Sequence, residues 1–185
     1  MRASIAVLAA AGIGAWAPAM ARAQAITVDD LVASWDIMTT MVVGSAKRMP
    51  AEHFAYTPGP PLRNFADQIN HTTQSNLSFS RVVNAGAPDF RVPARENPPQ
   101  TKDAVVDLLE KSFAHFRKGL VGLSNADLEA GVPWGPSNNS TTITRLKAIL
   151  IVVTHLQREH GKTIMYLRAQ GIEPAPSGDF NIGPV

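Results

Sequence analysis

His155 and Glu159 stand four residues apart in the run His155-Leu156-Gln157-Arg158-Glu159-His160-Gly161. On a helix that spacing puts an imidazole nitrogen and a carboxylate oxygen on one face, where the two can grip a single metal ion. His160 is five residues from His155, about 140° around a helix of 3.6 residues per turn, so the two rings share an ion only if the helix is locally distorted. Glu159 is the better-placed partner. A His and a Glu at this spacing also occur on solvated helix faces that bind nothing, so the pair alone does not decide the matter.

The segment that must position these groups runs from Ile143 to Leu167 with no proline and only Gly161 as glycine, which reads as one helix of a globular core. Ser140 or Thr141 is expected to cap it, Gly171 to end it, and Pro174 and Pro176 to stop any continuation. A first helix is expected after Thr27, with Asp29 and Asp30 in its first turn, a stripe of Leu31, Trp35, Met38 and Val42, and an end near Lys47 and Arg48. Met49 to Pro61 is a proline-punctuated loop. Asn64 and Asp67 then form an approximate capping box for a second helix from about Phe65 to Asn84, with Phe65, Ile69, Phe79 and Val83 inward and His71 in its second turn.

Ala85 to Gln100 carries Gly86, Pro88, Pro93, Pro98 and Pro99, too many breakers for a helix or a central strand. Thr101 is expected to cap a third helix with Val105, Leu109, Phe116, Leu120 and Leu123 inward and His115 toward solvent. Ser124 to Asp127 suggests one short helical turn and Trp134 to Ser140 a loop. No strand pattern and no internal repeat are evident. The expected fold is all-α: a four-helix bundle with a long proline-rich crossover between helices 2 and 3. Sites in bundles are built from side chains that face one another across helices, so His71 can meet His155 and Glu159. A lone histidine in a helix is more often structural than a ligand, and His71 carries no further signal by itself.

The chain has 185 residues, 45% of them hydrophobic and 17% charged, a net charge of +2 and no cysteine, which fits one domain with a sizeable core. Its 17 Lys and Arg residues are scattered without runs, so nothing favours a nucleic-acid partner. Arg2, the apolar run Ile5 to Ala15 and the small residues around Ala21-Arg22-Ala23 read as a secretory signal peptide over residues 1 to about 23, followed by a domain over residues 24–185. The apolar run is too short for a membrane span and Pro18 interrupts its continuation. After cleavage the protein is expected to be periplasmic or secreted, free of the membrane, and held by packing without disulfides.

The segment Met49-Pro50-Ala51-Glu52 leading to Tyr56-Thr57-Pro58, then Phe65-Ala66 and His71, then His155, Gly161, Tyr166-Leu167-Arg168, Gly171-Ile172 and Pro174 resembles the DinB/YfiT-like family of metalloenzymes. The likeness runs from about Leu31 to Ser177. It implies a four-helix bundle holding a divalent metal with one histidine from the second helix and two, four residues apart, from the last. The matching positions are His71, His155 and Glu159, so this chain has a carboxylate where the family has its third histidine. Taking His160 as the alternative third ligand requires a one-residue slip, which rotates a helical side chain by about 100°.

Two imidazoles and a carboxylate leave positions open for water or substrate, as in catalytic zinc sites, and also suit non-haem iron. Zinc is the first expectation for the metal, with nickel or iron as alternatives. A third outcome is a site without an ion, in which Glu159 pairs with Arg158 or Lys162. The resemblance implies an exported metal-dependent transferase or hydrolase of unknown small-molecule substrate, with thiol-dependent transfer as the leading specific reading. The alternative is a non-catalytic, stress-associated bundle that holds a metal or a small ligand, with Trp35, Met38 and Met41 available to line a pocket. Bundles of this size often pair through an exposed helix face, so a homodimer is one expected assembly.

Overall fold

The computed structural model describes residues 25–136 and 138–176. The expected signal peptide, residues 1 to about 23, lies outside them. Four α-helices are present among the described residues: α1 (Val28–Arg48), α2 (Phe65–Phe79), α3 (Lys102–Val121) and α4 (Arg145–Ala169). α1 and α2 each pack against both α3 and α4, so α1 and α2 stand diagonally opposite and α2 lies directly beside α4. That adjacency brings His71 within reach of the last helix. None of the described helices is long and apolar enough to cross a membrane.

Local chemistry sets the ends of these helices. Thr27 and Asp30 form a reciprocal capping box on α1, and the Asn64 side chain accepts from the Asp67 amide at 2.7 Å to start α2. Each satisfies amides that the first helical turn leaves unpaired. α4 ends where Gly171 adopts φ +69°, with Gly171 N–H donating to Arg168 and Ile172 N–H to Leu167. This paired closure needs a residue that tolerates the left-handed region. The chain then folds back over α1, where the Ala175 amide donates to Ser45 Oγ and Arg48 donates to the Glu173 carbonyl.

The core contains Trp35, Phe113 and Phe116, all essentially inaccessible. Trp35 stacks on Phe116 with ring centroids 4.0 Å apart and donates its indole N–H to the Phe113 carbonyl at 3.1 Å, so its polar edge is satisfied without water. Trp35 and Met38 are therefore core residues, and Met41, also buried, borders a shallow surface pocket with Asp36, Ile37 and Thr40.

Several sequence expectations are corrected. A two-stranded antiparallel ribbon, β1 (Gly131–Trp134) and β2 (Thr141–Thr144), precedes α4 with Gly131 opposite Thr144 and Trp134 opposite Thr141. The β-branched run Thr141-Thr142-Ile143-Thr144 favours an extended backbone, and the cap of α4 moves to Thr144, whose hydroxyl accepts from the Lys147 amide. α2 stops at Phe79 and continues as a tighter 3-10 turn over Ser80–Val83, ending at Asn84 with φ 54°. His115 is buried rather than solvent-facing, with its ring edge-to-face to Phe90 at 6.1 Å. Phe90 belongs to the stretch between Val83 and Lys102, which holds neither helix nor strand.

Two glycines make opposite demands. A Cβ on Gly119 of α3 would come within 2.7 Å of the Val83 carbonyl oxygen, whereas one on Gly161 of α4 would meet nothing. Gly161→Ala is expected to stabilise the protein by about 0.5–1 kcal/mol through helix propensity alone. Gly119→Ala is expected to destabilise it by roughly 1–3 kcal/mol despite the same gain. Denaturant unfolding of the two variants checks both signs.

Candidate metal centre

His71 projects from α2, and His155 and Glu159 from successive turns of α4. One donor atom from each of the three lies within 4.8 Å of the others. His71 Nε2 is 4.0 Å from Glu159 Oε2, and His155 Nδ1 is 4.0 Å from Glu159 Oε1. The two rings meet edge to face with centroids 5.8 Å apart, and Phe79 closes the far side of His155. The side chains of His71 and His155 are 27% and 14% exposed, and that of Glu159 is fully buried. The cluster thus lies just beneath the surface, with its carboxylate at the bottom.

A buried carboxylate must be matched by donors, and Glu159 is. Gln68 Nε2 donates to Oε2 at 2.8 Å, Arg158 Nε to Oε1 at 3.2 Å, and Lys162 Nζ to both oxygens at 2.8 and 2.9 Å. A carboxylate offers about four lone-pair sites, and these donors engage all of them. Gln68 is itself buried. Sequence reasoning missed it, although it stands three residues before His71, a spacing that shares a helix face. The sequence suggested Arg158 or Lys162 as a partner of Glu159 in a site without an ion; both engage it.

His160 does not join the group. It turns toward α1, where its Nε2 lies 3.1 Å from Ser45 Oγ, as expected of a side chain rotated one residue around the helix from Glu159. Of the two expected third ligands, the geometry therefore brings Glu159 to the histidines.

Burial pushes the His71 and His155 rings below the ordinary histidine range, and nearby cations (Arg63 for His71, Arg158 and Lys162 for His155) add to this against the opposing pull of Glu159. Burial alone would raise the Glu159 pKa, but the hydrogen bonds from Lys162 and Gln68 outweigh it and hold the carboxyl at about 2. At neutral pH the cluster is two neutral imidazoles and an anion, the protonation state a divalent ion requires. Arg158 Nη2 lies 2.9 Å from His155 Nδ1. Because arginine only donates, that nitrogen accepts, and the other, Nε2, is buried without a partner.

The donor types fit a divalent cation, with His155 meeting it through Nδ1, the nitrogen 4.0 Å from Glu159, once Arg158 leaves that atom; the ring proton stays on Nε2. Tetrahedral coordination at about 2.1 Å sets donors about 3.4 Å apart, so the 4.0 Å separations call for a modest inward rotation. What an ion meets here is competition, since it must displace a donor from Glu159.

These shifts predict how stability depends on pH. His71, His155 and His160 all have depressed folded-state pKa values, burial being the first cause in each. They take up protons more readily when unfolded, so their contribution is complete above about 6.5 and is lost as pH falls below it. Glu159 adds a second loss between its ordinary value of 4.5 and about 2. Urea unfolding at pH 7.5 and pH 5.0 is expected to show lower stability at pH 5.0; equal midpoints would mean that the rings are solvated.

The fold is shared with solved structures. A DinB-like protein from Bacillus subtilis superposes with a TM-score of 0.62 at 16% identity, covering 79% of this chain and 95% of that one. A DinB-like protein from Bacillus cereus gives a TM-score of 0.62 at 12% identity, covering 81% and 96%. No curated protein matches the sequence. The family model for the DinB superfamily matches residues 34–164, from the first helix into the last and across all three clustered residues, and the chain belongs to that superfamily.

Proposed function

We propose that the chain binds one divalent cation through His71, His155 and Glu159 and acts as an exported metal-dependent transferase or hydrolase. Zinc is the preferred ion, with nickel or iron as alternatives. The observation that carries this reading is the convergence of three donors from two helices within 4.8 Å, the carboxylate among them ionised and both rings held toward the neutral form.

When bound, such an ion supplies a Lewis acid with positions left open to water or to a substrate atom. The residues of the chain set its character. Glu159 brings a negative charge where a third histidine would be neutral, which softens the acidity of the centre. Gln68 fixes the orientation of the carboxylate from α2, a role that outer partners commonly play around ligands. Arg158 and Lys162, 65% and 42% exposed, can withdraw into solvent. The chain has no cysteine, so a thiol-dependent transfer, the leading specific reading, requires a thiol brought by a co-substrate and present outside the cytosol.

The saturated carboxylate supports a second reading, a bundle in which Arg158 and Lys162 stand permanently in place of an ion. Metal content separates the two. Purified protein exposed to zinc, then desalted, is expected to retain about one ion per chain and to release it to a chelator. A His71→Ala variant is expected to lose about tenfold or more in affinity, as removal of one of three ligands should produce. Equal metal in both proteins, or none in either, removes the metal reading.

A further inference from the structure

Lys162 stands at a junction between the buried cluster and an open groove. Its ammonium has three N–H donors, and Glu159 takes two of them. The same side chain lines a groove of about 500 Å³ between the loop after Tyr56 and the C-terminal half of α4. Pro58, Pro61, Leu62 and Met165 are among its lining residues. Leu62 is 58% exposed and Met165 70%, and large apolar side chains grouped in a concavity mark a place that something covers. Arg63 lies in the same lining, with no carboxylate within ion-pair distance among the described residues. The lining itself contains no acid.

We propose that this groove binds a small amphipathic anion, its acidic group between Lys162 and Arg63 and its apolar body along Leu62 and Met165, and that a divalent ion at Glu159 strengthens the binding by releasing Lys162. The second half rests on the metal reading above. An ion that reaches Glu159 must displace a donor, because every lone pair is engaged. A dication repels both cations, Arg158, which also covers His155 Nδ1, and Lys162, which bridges both oxygens; of the two, Lys162 is the one that lines the groove. Once displaced, its undivided charge faces the groove. Conversely, an anion that draws Lys162 away uncovers the carboxylate, so the two binding events favour each other by a reciprocal factor. The ligand class of the groove is thus an apolar molecule carrying one acidic group.

The probe is 1-octanesulfonate, whose sulfonate is a poor metal ligand, titrated into the full chain with and without zinc. Zinc is expected to tighten its binding about fivefold or more, and the sulfonate to tighten zinc binding equally. Met165→Glu is expected to weaken the sulfonate about tenfold by placing a like charge in the apolar wall, with zinc binding not weakened, since a carboxylate three residues from Lys162 also draws it from Glu159. Lys162→Met, or Lys162→Gln if the first does not fold, is expected to bind zinc more tightly and to lose the coupling. Sulfonate binding indifferent to Met165→Glu overturns the proposal. So does zinc that binds through His71 yet leaves sulfonate affinity unaltered, an outcome that spares the metal reading. Zinc bound by neither wild type nor the Lys162 variants overturns both.

Discussion

The carboxylate of Glu159 is the constraint around which the site is arranged. It is an anion with no access to water, and an unmatched charge at that depth would be untenable. Its partners come from two helices: Gln68 from α2, Arg158 and Lys162 from α4. Because Gln68 has to reach it across the helix interface, the same requirement fixes how α2 sits against α4 and therefore where His71 points.

The bundle topology makes that requirement achievable. With α1 and α2 diagonal, α4 has α1 on one side and α2 on the other, and its polar residues divide accordingly. His155 and Glu159 face α2, while His160 faces Ser45 on α1. The loop that precedes α2 is tied to α4 by the Tyr166 hydroxyl, which donates to the Arg63 carbonyl at 2.6 Å. This tie holds one wall of the groove against the other. Burial of the donors, the position of the cations and the shape of the groove are thus consequences of one packing arrangement.

Much of this was legible in the sequence because it depends on helical periodicity. Apolar stripes and capping residues located four helices, and four-residue spacing singled out His155 and Glu159 over His160. What escaped depends on contacts between distant segments. The ribbon before α4 is only four residues per strand and contains Pro133, so alternation had no length in which to show, and its Thr residues read equally well as caps. His115 was misplaced because its cover, Phe90, comes from a stretch without regular structure. The burial of Gln68 follows from the charge it serves on another helix, which no local pattern encodes.

Glu159 stands where the family resemblance implies a histidine, and the contacts around it bear on descent. A histidine at this position would leave Lys162 and Arg158 gathered around a neutral ring, with Gln68 offering that ring an N–H. The four side chains form an epistatic group: an evolutionary path between a carboxylate and a histidine at this position must alter the cations along with it, and homologues that carry histidine here should differ at the neighbouring basic positions as well.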